Sequence, residues 1–235
     1  MKKFLKILLK SVLGLIGILI LGFVVLKMTY NEDLPEGKNE KAADELAYKI
    51  LESLNYESYK TAKEIHWMFR GTNLYEWKKQ EDIVEVFWGD FHVSLNTKFR
   101  DKSTAFKNDK PLEGVSRTEA IDYALSNFNN DSFWVVAPYK IFDPGTKRFL
   151  VEEEGKQKLL VQYTTGGSTP GDAYLWEVDE NYKPISFKMW VSIIPFNGIE
   201  AEWSDWKTTD SGFMLAHKKT VWGIEIPVTD LKVIP

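Results

Sequence analysis

The sequence predicts an α+β fold, mostly antiparallel β, in which a curved sheet or unclosed barrel is covered by about two helices and preceded by one transmembrane helix. Three observations support this prediction. An uncharged apolar run lies near the amino terminus, two amphipathic helical patterns follow it, and most of the remaining chain alternates apolar and polar residues between tight turns. The 235 residues are 44% hydrophobic and include no cysteine, so packing and not disulfides must stabilise the folded part.

The apolar run at residues 11–26 approaches the length that crosses a bilayer as a helix. Lysines precede it at positions 2, 3, 6 and 10, whereas only Lys27 follows closely. This bias predicts an amino terminus in the cytoplasm and export of the chain after Tyr30. A cleaved signal peptide is the alternative, but residues 25–30 contain no small-x-small cleavage site.

We therefore predict three parts: a transmembrane signal anchor at 1–29, a charged linker at 30–39 and an exported domain at 40–235. The lysines of the first part leave the domain more acidic than the net charge of −4 suggests. An acidic domain argues against a nucleic-acid partner, because phosphate binding requires an excess of positive charge.

The domain begins with a helical pattern at 40–54, whose apolar residues recur at spacings of three and four. Alternation then predicts a strand at 61–70 and a hairpin whose two-residue turn is Gly89-Asp90. Residues 97–115 are polar and rich in turn formers. A second helix is predicted at 117–128, with a capping box at Ser116–Glu119 and an end at 129–132.

Seven β-type segments separated by turn residues complete the chain. They are predicted at 147–153, 157–164, 173–178, 185–193, 198–206, 212–222 and 224–234. Such regular spacing is typical of a meandering antiparallel sheet and not of alternating βαβ units.

Motifs for catalysis are missing from the sequence, so we predict no catalytic residue, no metal site and no cofactor. The three histidines lie far apart, at spacings that fit no metal-binding pattern. There is no Gly-x-Ser-x-Gly nucleophile elbow. A hydrolase would need residues such as Asp131, Asp172 and His217 to be brought together by the fold.

The segment at 163–172 contains three glycines in a connection between two predicted strands. We interpret it as a long hairpin connection, although successive glycines can also turn backbone N–H groups towards an anion. Its candidate loop residues are Gly166, Gly167, Thr169, Pro170, Gly171 and Asp172. We expect the glycines to adopt conformations closed to other residues, and Thr169 and Asp172 to fix the loop through side-chain bonds to backbone N–H groups.

Aromatic residues make up 14% of the chain and include nine tryptophans, spread over nearly every predicted strand. A sheet core recruits such residues, but an indole N–H needs a partner, so lining of a cavity or groove is the alternative. The candidate ligand-binding residues are Trp67, Phe69, Trp77, Trp88, Trp134, Trp176, Phe187, Met189 and Trp190. A curled sheet would turn such faces inward, towards the helices at 40–54 and 117–128.

Residues 199–222 resemble the strand–turn–strand signature of bacterial lipoprotein-carrier domains of the LolA/LolB type. The matching positions are Asp205-Trp206-Lys207, Asp210, Gly212 and His217. The resemblance implies an unclosed antiparallel barrel with helices across its mouth, which binds acyl chains. The chain is also similar to uncharacterised membrane-anchored bacterial proteins that have comparable Asn-Asp-Ser-Phe-Trp and Thr-Pro-Gly-Asp-Ala-Tyr patterns.

Together these features favour a binding module for a lipid, acyl chain or other apolar ligand, tethered to the bacterial inner membrane and facing the periplasm. Its expected partners are the membrane and such an apolar or acylated ligand, with no nucleic acid. One alternative is an envelope structural or sensor protein whose aromatic surface meets a protein or glycan. A hydrolase is the third alternative.

Overall fold

The structure is a computed structural model that describes residues 2–38, 40–165 and 169–235. Four α-helices are described: α1 Lys2–Tyr30, α2 Glu40–Ser53, α3 Tyr56–Thr61 and α4 Gly114–Val136. The first six strands are β1 Glu64–Phe69, β2 Asn73–Lys78, β3 Ile83–Trp88, β4 Phe91–Asn96, β5 Thr104–Lys107 and β6 Lys110–Pro111. The other eight are β7 Thr146–Glu153, β8 Lys156–Tyr163, β9 Ala173–Val178, β10 Pro184–Trp190, β11 Ile199–Thr208, β12 Met214–Val221, β13 Ile224–Glu225 and β14 Val228–Ile234.

The strands form two antiparallel sheets of seven, and neither sheet closes on itself. The first has the order β14-β1-β2-β3-β4-β5-β6, and the second has the order β13-β12-β11-β10-β9-β8-β7. The chain passes from the second sheet to the first between β13 and β14, and β12 contacts β14 there. Helix α2 covers β7 and β8, while α4 covers β4, β5 and part of β12. The predicted α+β class, an unclosed antiparallel sheet with helical cover, is confirmed.

One hydrophobic core fills the space between the sheets and these helices. Alternate residues of β1, namely Ile65, Trp67 and Phe69, are buried, as the predicted period of two requires. Leu46, Ile50 and other apolar residues of α2 join the same core. The predicted Gly89-Asp90 turn is confirmed, because Trp88 pairs directly with Phe91 across it.

Three local predictions were wrong. Helix α4 runs to Val136 and does not end at 129–132, because Val135 and Val136 pack in the core and the helix continues until Pro138 interrupts it. It begins at Gly114 without a side-chain cap, so the predicted capping box is not formed. The predicted strand at 224–234 is divided, since Ile226 and Pro227 carry the chain between the sheets, and proline cannot donate to a ladder. Residues 97–115, which are rich in turn formers, contain the two short strands β5 and β6.

The segment after α1 lies against the outer face of the second sheet. Lys38 and Leu150 exchange two backbone hydrogen bonds of 2.9 and 2.8 Å. A small apolar cluster made of Val151, Leu160, Ala173, Leu175 and Trp190 occupies this face. Residues 34–38 line the groove beside Phe149 and Leu160. The segment predicted as a charged linker is thus tied to the sheet at several points.

Gly37 permits this close approach, because a Cβ atom there would lie 2.2 Å from Cβ of Phe149. Gly37→Val is therefore expected to displace the segment and to cost about 1–3 kcal/mol of stability, as overpacking does. Thermal unfolding and the rate of tryptic cleavage after Lys38 measure the two effects. Glu36→Val is the matched control, since the side chain of Glu36 is exposed. Equal cleavage and equal melting of both variants would contradict the packing argument.

Candidate ligand-binding cavity

A cavity of about 720 Å³ lies between the second half of α4 and the inner face of the second sheet. Its apolar wall consists of Phe133, Trp134, Phe187, Met189, Val191, Ile193 and Ile194. Its polar residues are Arg70, Ser126, Asn127, Asn129, Asn130, Lys140, Asp143, Thr165, Thr169 and Asp172, together with the hydroxyl-bearing rings of Tyr163 and Tyr174. Several of these residues, among them Arg70, Ser126 and Ile193, are exposed, so the cavity opens to solvent along this rim.

The alternation of β10 produces the apolar wall. Phe187 and Met189 point inward and pair with Trp176 and Tyr174 of β9, whereas Trp190 points to the opposite face. The ring centroids of Phe133 and Tyr174 are 4.4 Å apart, and those of Tyr174 and Phe187 are 5.3 Å apart. Aromatic rings from α4, β9 and β10 therefore form one continuous wall.

Tyr163 and Tyr174 keep this wall uncharged. Burial raises the pKa of both hydroxyls above their usual value, and the carboxylates of Asp143 and Asp172 raise the pKa of Tyr163 and Tyr174 respectively. Both phenols are consequently neutral at physiological pH. They offer hydrogen-bonding groups at the cavity without adding charge.

The charged groups of the rim differ in their partners. Lys140 Nζ lies 3.3 Å from a carboxylate oxygen of Asp143, so these two charges offset each other. Arg70 occupies the turn after β1, where its backbone N–H donates to the carbonyl of Pro227 at 2.9 Å. Its guanidinium lies 5.4 Å from the ring centroid of Phe69, and among the described residues no carboxylate pairs with it. Arg70 therefore supplies a cation to the rim.

The connection after β8 is tied to the loop after β10 by Asp172. One oxygen of its carboxylate accepts from the Ser192 backbone N–H at 3.1 Å, and the other accepts from the Thr169 hydroxyl. The backbone N–H of Gly171, whose φ is +106°, donates to the Tyr163 carbonyl at 2.7 Å. Asp172 thus bonds to a backbone N–H of another loop, whereas Thr169 bonds to Asp172 itself.

Five of the candidate residues line the cavity: Trp134, Phe187, Met189, Thr169 and Asp172. The others lie elsewhere. Trp67 and Phe69 are buried on β1, Trp77 and Trp88 are half-buried in the first sheet, and Trp176 packs beside Phe187 within the core. Trp190 donates its indole N–H to the Glu32 carbonyl at 2.9 Å on the outer face. Pro170 and Gly171 belong to the connection, while Gly166 and Gly167 lie outside the described residues.

Sequence reasoning missed Arg70, Tyr163, Tyr174, Ile193 and Ile194. Tyr174 could have been found from strand pairing, because it stands opposite Met189. Arg70 comes from the other sheet, and no local sequence pattern indicates that it reaches the cavity.

The three residues named for a hydrolase have different surroundings. Asp131 is buried against Tyr75 and Asn73, Asp172 lines the cavity, and His217 lies on β12, where burial and then Lys207 and Lys219 lower its pKa.

Comparison with known proteins gives distant matches only at the level of solved structures. No family model matches the chain. No curated protein matches it. A DUF1329 family protein from Desulfovibrio piger is 9% identical, with a TM-score of 0.42, over 83% of this chain and 93% of that chain. A putative outer membrane lipoprotein-sorting protein domain from Vibrio parahaemolyticus is 9% identical, with a TM-score of 0.32, over 80% of this chain and 93% of that chain.

Proposed function

We propose that this protein is a membrane-anchored binding module that holds an amphipathic lipid or acylated molecule outside the cytoplasm. The observation that carries the proposal is the cavity of about 720 Å³ with its aromatic and aliphatic wall. Its volume falls within the range of about 300–1,000 Å³ that small-molecule sites occupy. Each methylene group buried against such a wall contributes about 0.8 kcal/mol, so an acyl chain gains affinity with its length.

The rim favours a ligand that carries a negative or strongly polar headgroup. Arg70 offers a guanidinium without an ion-pair partner among the described residues, and a charge-assisted hydrogen bond to a carboxylate or phosphate is stronger than a neutral one. The asparagine side chains of α4 lie on the same rim. A ligand would therefore bury its chain beside Phe187 and Met189 and leave its headgroup near Arg70.

The anchor part of the proposal depends on α1. Residues Leu9–Tyr30 form the one described helix that is long and apolar enough to cross a membrane, with a mean hydropathy of 2.5. At about 1.5 Å per residue, this length matches a hydrocarbon core about 30 Å thick. The lysine bias then favours an inner-membrane location with the domain in the periplasm. In this proposal residues 1–29 are the anchor, 30–39 the linker and 40–235 the binding domain.

The proposal is tested with the full chain held in an amphipathic polymer and titrated with cis-parinaric acid, whose fluorescence rises in apolar sites. We expect saturable binding, and we expect Ile194→Trp to weaken it at least about tenfold, because the larger ring takes up space beside the bound acyl chain and a loss of about 1.4 kcal/mol is tenfold in affinity. Ile185→Trp is the matched control, since this exposed residue lies at the start of β10 and outside the cavity lining.

Arg70→Gln tests whether the charged headgroup of the ligand binds Arg70. We expect the variant to lose affinity for palmitic acid, measured by displacement of the probe, and to keep its affinity for hexadecanol, which has no charge. Binding by Ile194→Trp that equals wild-type binding would show that the probe lies outside the cavity. Equal losses for the acid and the alcohol in Arg70→Gln would remove Arg70 from the proposal.

A further inference from the structure

An uncharged loop at residues 191–198, which follows β10, lies beside the carboxyl-terminal half of α1. The rings of Phe196 and Phe23 are in contact, with centroids 5.6 Å apart. Phe23 precedes Lys27 by one helical turn, or roughly 6 Å along the helix axis. If α1 spans the bilayer as proposed, Phe196 therefore lies deeper in the membrane than the Lys27 backbone.

Hydrogen bonds hold the loop and the end of α1 together. The backbone N–H of Glu32 donates to the Asn197 carbonyl at 3.1 Å, and the backbone N–H of Asn197 donates to the Asn31 side chain at 3.0 Å. The Glu32 carboxylate lies 2.7 Å from Lys188 Nζ on β10. The position of the domain relative to α1 is thus fixed by polar contacts in addition to the ring contact.

A second apolar element stands next to this loop. Trp222 and Gly223 form the tip of the hairpin between β12 and β13, and the ring of Trp222 lies 6.1 Å from that of Phe196. Trp222 is 62% exposed, whereas the other eight tryptophans, all in the described residues, are buried or half-buried. Its φ of +51° is unusual for a bulky residue. Ile193 and Ile224 are also exposed, at 65% and 69%.

We infer that residues 191–198 and 221–224 form a membrane-docking surface that inserts into the outer face of the same bilayer that α1 spans. This inference rests on the proposed anchoring of α1. Tryptophan is suited to the boundary between headgroups and acyl chains, because its ring is apolar and its N–H is polar. Neither segment contains a charged residue, so burial of apolar surface and not attraction to anionic lipids drives the docking. A bilayer of zwitterionic lipids is therefore expected to be sufficient for this docking.

The absence of cysteine from the chain permits a test with single labelled cysteines. The full chain is reconstituted in phosphatidylcholine nanodiscs, with or without brominated acyl chains, and carries a fluorophore at one of four sites. Ile193→Cys and Ile224→Cys report on the docking surface. Leu19→Cys, within α1, is the control for insertion. Tyr182→Cys is the control for distance, because Tyr182 precedes β10 and loop 191–198 follows it, about 23 Å away along the strand.

We expect brominated lipid to quench the labels at positions 19, 193 and 224 strongly and the label at 182 weakly. Trp222→Asp is expected to reduce the quenching at 193 without changing the quenching at 19 or the melting temperature, since Trp222 packs little within the fold. If the label at position 19 is quenched and the labels at 193 and 224 are quenched as weakly as the label at 182, the docking inference is wrong and the anchoring of α1 is supported. If position 19 is not quenched, the anchor fails and the docking inference fails with it.

Discussion

Replacement of Lys219 by methionine is expected to stabilise the protein at neutral pH by about 2 kcal/mol, which corresponds to roughly 4–8 °C in melting temperature for a chain of this size. Lys219 lies on β12 with no exposed surface, beside Trp203 of β11. Among the described residues no carboxylate pairs with it. Its ammonium donates to the Ala216 carbonyl and lies 5.5 Å from the Trp203 ring centroid.

The physical reason is the desolvation of this ammonium, which lowers the pKa of Lys219 from 10.5 to about 8. Below pH 8 the folded and unfolded states are both protonated, and the folded state carries the whole cost of the buried charge, on the order of 3 kcal/mol. Between pH 8 and 10.5 the folded state releases the proton first, so stability rises with pH. Methionine removes this cost, and the lost hydrogen bond to Ala216 offsets about 1 kcal/mol of the gain.

Chemical denaturation from pH 6 to pH 10 measures both effects. The variant should show its largest gain at pH 6–7, and the gain should shrink as the pH approaches 10. Lys218→Met is the matched control, because the neighbouring Lys218 is exposed and should show no such trend. A gain for Lys219→Met that is independent of pH would indicate improved packing and would contradict the account based on protonation.

Removal of the Asp131 side chain is expected to have the opposite effect. Asp131 is 2% exposed on α4, and its carboxylate accepts from the Tyr75 hydroxyl at 2.6 Å and from the Asn73 amide at 3.2 Å. Burial, and then the proximity of Asp131, raises the pKa of Tyr75, so its hydroxyl remains a donor. Asp131→Ala leaves two buried donors without an acceptor, and we expect a loss of about 3 kcal/mol.

Asp131→Asn separates hydrogen bonding from packing. Its carbonyl oxygen can still accept from Tyr75, so we expect it to lose less than half as much stability as Asp131→Ala. Urea unfolding of the two variants gives the comparison. Equal losses would show that the negative charge itself, and not the acceptor for Tyr75, stabilises this part of the core.

Local chemistry accounts for the parts of the fold that could be predicted from the sequence. The Gly89-Asp90 turn and the alternation of Ile65, Trp67 and Phe69 depend on neighbouring residues alone. The end of α4 could not be predicted, because Phe133-Trp134-Val135-Val136 favours a strand and tertiary packing overrides that preference. The division of the last predicted strand depends on the sheet with which each half pairs.

The cavity was harder to predict, since it depends on which face of each strand turns inward. Phe187 and Met189 alternate with Lys188 and so share one face of β10, whereas Trp190 lies on the other face. Only the fold shows which of these faces lines the cavity. Trp67 is a large aromatic residue of the type that lines ligand sites, yet it stacks on Tyr75 in the core, with ring centroids 4.7 Å apart. Arg70 reaches the cavity from a distant part of the chain.

The contacts of residues 31–38 with the second sheet have a consequence for how far the domain can travel. A free segment of this length would extend about 27 Å and would let the domain search a wide volume above the membrane. Here its backbone is occupied by bonds to Asn197 and Leu150, and Gly37 lies against Phe149. If α1 spans the membrane as proposed, these contacts keep the domain close to the bilayer surface. A partner that exchanges a ligand with such an anchored domain would have to approach the surface of the bilayer.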